Sequence, residues 1–136
     1  VHHDMDATIF GDAIGQVPRM DTRTFPADPH LVELAVKANE KANPQIHTFT
    51  GRVASGDQFI SSGEVKARIV ENFQALCTEM EGAAIAQVSY LNKVPFVILR
   101  TISDKADDSA TMDYPAFEKL AIANNVKVMK ELVANI

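Results

Sequence analysis

Apolar positions along this chain follow two periods, and the switches between them mark its elements. Leu31, Leu34, Ala35 and Ala38 recur at helical spacing, so they share one face of a helix. Asp28-Pro29 supplies a start signal, with Asp as cap and Pro at the first helical position, and Asn43-Pro44 stops the helix near Ala42. From Ile46 to Ala54 the pattern alternates and is rich in β-branched residues, which predicts a strand broken by Ser55-Gly56-Asp57. Ser61-Ser62 can cap a second helix in which Val65, Ile69 and Phe73 repeat every fourth residue. Ala75 to Met80 reads as a short buried strand. Glu81 to Leu91 reads as a helix with Ala84, Ile85, Val88 and Leu91 inward. Phe96-Val97-Ile98-Leu99 is continuously apolar, as expected of a parallel strand covered on both faces. A last helix starts near Asp113 and carries Phe117, Leu120, Ala121, Asn124, Val128, Leu132 and Ile136 on one side. This alternation predicts an α/β fold with right-handed crossovers and a parallel or mixed sheet flanked by helices.

Residues 1–30 hold Gly11, Gly15, Pro18, Pro26 and Pro29 and read as a loop with little regular structure. The 136 residues suffice for one domain and not two. A net charge of -5 without a basic face argues against a nucleic-acid partner. Cys77 is the only cysteine, so no intrachain disulfide can form, and it reads as a small buried hydrophobe in a reducing compartment. No apolar stretch is long enough to span a bilayer and no targeting segment is read, so a cytoplasmic protein away from membranes is expected.

The candidate chemistry sits where strands end, the place at which open α/β sheets bind ligands. Glu79-Met80-Glu81-Gly82-Ala83-Ala84 puts two carboxylates at one such end. A carboxylate accepts two neighbouring hydroxyls, as a ribose diol presents them, and small residues beside it allow close approach. The same acids would also suit a helix start through its dipole. Arg100-Thr101-Ile102-Ser103-Asp104 closes the next apolar run. A buried Arg100 would need Glu79 or Glu81 as partner, and Asp104 could move a proton or cap a turn. After Ser55-Gly56-Asp57, Phe59 could stack on a planar base or serve as an ordinary core aromatic. His2, Asp4 and Asp6 would face one way on a strand, but His30 and His47 stand apart and no metal-ligand spacing is completed, so no metal is expected. There is no Walker loop and no GxGxxG, HExxH or GxSxG motif.

Taken together, Val53-Ala54-Ser55-Gly56-Asp57-Gln58-Phe59-Ile60, Glu79-Met80-Glu81-Gly82-Ala83-Ala84-Ile85-Ala86, Val94-Pro95-Phe96-Val97 and Arg100 through Asp107 closely resemble the bacterial 5′-methylthioadenosine/S-adenosylhomocysteine nucleosidases. His2 through Thr8, Phe10-Gly11 and Gly15-Gln16-Val17-Pro18 match as well. The resemblance covers essentially the whole chain and corresponds to the C-terminal part, somewhat over half, of a family member. It implies a nucleoside phosphorylase-like mixed sheet that lacks its N-terminal strands, with residues 1–136 as the C-terminal part of a single domain. It also implies hydrolysis of the bond between adenine and ribose without a cofactor, adenine nucleoside thioethers as ligands, and a homodimer.

By the family pattern Asp104 protonates adenine N7 and Ser103 helps to orient it. Glu81 takes the ribose hydroxyls, Glu79 is expected beside it among the substrate-binding residues, and Met80 packs on the sugar. Phe59 stacks on adenine, the Ile60 backbone reads the purine edge, and Tyr114 falls near the 5′-alkylthio group. Phe10 and Pro18 match residues that cover a neighbour's pocket across the dimer. Asp12 departs from the aromatic usual after Phe-Gly. The family's water-activating glutamate and its Gly-Ser-Ala-Gly-type ribose loop are not found here. The chain by itself is therefore expected to leave an open sheet edge and to be inactive. The rival readings are another purine nucleosidase or phosphorylase of the same superfamily, such as one acting on futalosine, and a non-catalytic nucleoside-binding fragment.

Overall fold

The computed structural model describes residues 1–103 and 114–136. They form two compact units, one of residues 1–26 and 51–94 and the other of residues 27–50, 95–103 and 114–136.

The first unit is built on two short parallel strands, β1 (Val53–Ser55) and β2 (Cys77–Glu79), in register Val53↔Cys77, Ala54↔Thr78 and Ser55↔Glu79. A single parallel bridge between His2 and Ser55 adds a third line, with His3 N–H donating to Ser55 O and Ser55 N–H to Val1 O, both at 2.8 Å. The opening segment is thus not wholly irregular, since it joins the sheet here and forms a single 3-10 turn at Thr8–Phe10. The strand expected over 46–54 is paired only at its end. Residues 46–52 carry the right alternation but are not strand: Arg52 O accepts from Leu76 N–H at 2.8 Å just ahead of the ladder, and one such bond does not make a strand. The strand expected over 75–80 is likewise trimmed to its three paired residues.

Between the strands runs α2 (Gly63–Phe73), which buries Ile69 and Phe73 at the expected spacing against Val1, Ala54 and Ile60. Ser62 occupies its cap position, yet its side chain makes no capping hydrogen bond. After β2 comes α3 (Gly82–Asn92), and here the inward face is the reverse of the one predicted. Gly82, Ala83 and Ala86 are buried, whereas Ile85, Val88 and Leu91 are 54%, 61% and 58% exposed. The helix is apolar on nearly every side, so periodicity could not choose a face. The small side chains win because they let α3 lie close on β1.

In the second unit α1 (Pro29–Ala42) packs on α4 (Tyr114–Val133). Asp28 caps α1 through a 2.9 Å bond from Leu31 N–H to its Oδ1, as its sequence signal predicts. Ala35 and Ala38 form a core with Val128 and Leu132, and Val97 packs against it. Asn124 is also buried on the expected face of α4, but Leu120 and Ile136 are exposed. Phe96–Leu99 is not a strand: it carries no ladder and is tied by Asp28 N–H donating to Phe96 O at 2.9 Å. Among the described residues no helix is long and apolar enough to cross a membrane.

Candidate active site

Because the pairing is parallel, three segments leave the first unit's sheet at the same end. They are His3-Asp4, Gly56-Asp57 and Met80-Glu81, each following a paired residue. The segments are stitched together beyond the ladder. Gly56 N–H donates to Glu79 O at 3.2 Å, and Asp57 N–H donates to Asp4 Oδ2 at 2.6 Å. Gly56 is required for this closeness, since a Cβ there would lie 2.5 Å from the His3 ring. Burial pushes the His3 imidazole below its ordinary pKa, against the opposing pull of the Asp4 charge.

The two glutamates of this end have different surroundings. Glu79 is buried, and its oxygens accept from the N–H groups of Glu81 and Gly82 and from the Ser55 hydroxyl. Met80 and Glu81, the next two residues, are exposed. Two-residue alternation would put both carboxylates on one face, but β2 ends at Glu79 and the chain bends through Met80-Glu81 into α3, so one carboxylate is turned into the protein and the other is exposed. Phe59 is 73% exposed, so its reading as a core aromatic does not hold. Ile60 next to it is buried in the core with Phe73, which leaves its backbone as the part able to meet a ligand. Phe10, on the turn closed by Gly11 at φ +91°, and Pro18 are both exposed.

Sequence reasoning put Ser55-Gly56-Asp57 at a strand end and weighed Asp4 only as a metal candidate; it missed that Ser55, Gly56 and Asp4 tie this end together. The Ser-Gly-Asp break after an alternating run marked a turn, but its bonds to residues far along the chain had no local signal.

The remaining predicted residues belong to the second unit. Ser103 is half-buried. Arg100 is exposed, so the burial that called for an ion pair with Glu79 or Glu81 is not found. Tyr114 stands at the start of α4. Asp104 lies outside the described residues. In the opening segment His2 and Asp6 have separate partners: His2 Nε2 meets Gln87 Oε1 at 2.9 Å, and Asp6 Oδ1 accepts from Thr8 N–H at 3.0 Å. Among the described residues no three such side chains gather into a metal-binding group.

Comparison with known proteins places the whole chain beside one group of relatives. A 5′-methylthioadenosine/S-adenosylhomocysteine nucleosidase of Desulfotalea psychrophila is 46% identical over 134 residues, which are 97% of this chain and 56% of that protein. The enzyme of the same name from Staphylococcus saprophyticus is 44% identical over 99% of this chain and 58% of its own. Among solved structures, the Neisseria meningitidis nucleosidase in complex with methylthio-immucillin-A superposes with a TM-score of 0.89 at 40% identity, covering 99% of this chain and 58% of that one. Futalosine hydrolase of Helicobacter pylori superposes with a TM-score of 0.88 at 34% identity, covering 100% of this chain and 57% of that one. The chain therefore spans somewhat over half the length of the relatives it matches. The phosphorylase superfamily model matches residues 1–134, nearly the whole chain, and with these relatives it establishes that the chain belongs to that superfamily.

Proposed function

We propose that this chain carries the nucleoside-binding part of an enzyme that hydrolyses the adenine–ribose bond of 5′-methylthioadenosine and S-adenosylhomocysteine. The observation that carries the reading is the sheet end itself. An exposed carboxylate, Glu81, and an exposed aromatic, Phe59, follow strands held in register at Ser55↔Glu79. Nucleosidases of that name, 46% and 44% identical over almost the whole chain, support the choice of substrate.

In this reading Phe59 stacks on adenine and the Ile60 backbone meets the purine edge. Glu81 accepts the ribose hydroxyls, and Met80 packs on the sugar. Tyr114 borders the 5′-alkylthio group. In a homodimer Phe10 and Pro18 would cover the partner copy's pocket. Asp104, oriented by Ser103, gives its proton to adenine N7 as the bond between N9 and C1′ breaks. Adenine leaves neutral, and water supplies hydroxide to C1′ and returns a proton. The base that activates this water is assigned to no residue of this chain. The Glu81 charge near the sugar favours the cationic transition state.

In the full-length protein, Asp104→Asn is expected to lower turnover of 5′-methylthioadenosine about 10²–10⁴-fold, the usual worth of a general acid. Nucleoside binding by calorimetry should persist. Turnover at the parental rate removes the proton donor from the reading. The likeness to futalosine hydrolase supports a second reading, in which the same site cleaves futalosine. Parallel assays of both nucleosides, with and without phosphate, separate the two and also distinguish hydrolysis from phosphorolysis.

A further inference from the structure

We infer that Glu79, acting with Ser55, is a positioning residue that sets the place of Glu81, and that it does not itself touch the nucleoside. The inference rests on the reading of Glu81 as the ribose-binding carboxylate. Glu79 is 8% exposed, while Met80 and Glu81 beside it face out. Its Oε2 accepts from Glu81 N–H at 3.2 Å and from Gly82 N–H at 2.9 Å, and its Oε1 accepts from Gly82 N–H at 3.0 Å and from the Ser55 hydroxyl. Ser55 Oγ in turn accepts from Ala83 N–H at 2.7 Å. Two side chains rooted at one paired position of the sheet therefore take three successive amides at the start of α3.

Those amides are the ones that a helix leaves without internal partners. Glu81 holds the cap position of α3, yet its own side chain makes no capping bond. Glu79 does that work in its place, and a carboxylate suits the positive end of the helix. The carboxylate of Glu81 is thereby released from capping, and its backbone is pinned between β2 and α3. Gly82 completes the arrangement, because a Cβ there would come within 2.9 Å of Glu79 Oε1. Glu79→Gln keeps the size but turns an amide group toward N–H donors.

The test uses the full-length protein with 5′-methylthioadenosine as substrate and adenine as competitive inhibitor. Glu79→Gln, Ser55→Ala, Glu81→Gln and the double variant Glu79→Gln/Glu81→Gln are compared. Glu79→Gln and Ser55→Ala should each lower kcat/KM about tenfold to a hundredfold, the scale of a charge-assisted hydrogen bond, with adenine inhibition within about twofold of the parent. The double variant should lose no more than Glu81→Gln alone, because both changes remove one function. Should Glu79→Gln fail to fold, Ser55→Ala and Gly82→Ala carry the same readout. Parental kcat/KM in these variants, with Glu81→Gln impaired, overturns the positioning role. Equal weakening of adenine and nucleoside also overturns it, since that is a general distortion of the pocket. If Glu81→Gln itself keeps parental kinetics, the ribose-binding reading fails, and this one with it.

Discussion

Cys77-Thr78-Glu79 and Phe96-Val97-Ile98-Leu99 invite comparison, because the sequence marks both as strands and the second more strongly. Only the first is one. Cys77–Glu79 is less apolar, but β1 lies beside it in register. Phe96–Leu99 has the stronger composition and no ladder. Its Val97 is held by packing on the α1–α4 core, and its backbone by the bond from Asp28. A strand is a relation between two segments, so composition states what a segment would do when a neighbour is supplied. The consequence reaches the site. Glu79 closes a laddered strand and is locked to Ser55, with Met80 and Glu81 directly after it, whereas Arg100 and Ser103 follow an unladdered segment.

The contrast can be broken most severely in the core beneath β1. Phe73 is 1% exposed, and Phe73→Ala should cost roughly 3–5 kcal/mol of stability by urea denaturation. A loss under about 1 kcal/mol would mean that the core does not hold the sheet end. In the second unit Asp28 both caps α1 and ties Phe96. Asp28→Ala should cost about 1 kcal/mol, and a cost near zero would remove the cap from the account.

Hydrogen exchange sharpens the comparison directly. The amides of Ser55 and Gly56, bonded to Val1 O and Glu79 O, should exchange much more slowly than those of Ile98 and Leu99. Equal protection would contradict the difference drawn between the two segments.

A smaller effect is expected from pH. The folded-state pKa of His3 is lowered, mainly by burial, so the unfolded chain binds the proton more readily. Its contribution to stability is complete above the ordinary imidazole pKa of about 6.5 and is lost as pH falls through the lowered folded value. The acid-side decline should be shallower in His3→Gln, and an unchanged slope would exclude His3 as its source. Smallest of all is the Lys41–Glu131 ion pair at 2.5 Å on the surface, where Lys41→Ala should change stability by about 0.5 kcal/mol or less.

The sequence by itself determined the helices and their punctuation. Asp28-Pro29 opened α1, and the fourth-residue repeat of Val65, Ile69 and Phe73 chose the buried face of α2, because capping and helical periodicity act within a few residues. It also marked the strand ends as the place of the candidate chemistry and carried the family likeness. Tertiary structure alone decided which apolar runs became strands, which face of the all-apolar α3 turned inward, and that Phe59 stood out in solvent while Ile60 joined the core. It alone separated two nearly adjacent glutamates, turning Glu79 in to hold three amides with Ser55 and leaving Glu81 outside. Those outcomes depend on hydrogen bonds and packing between residues far apart along the chain, for which no local pattern exists.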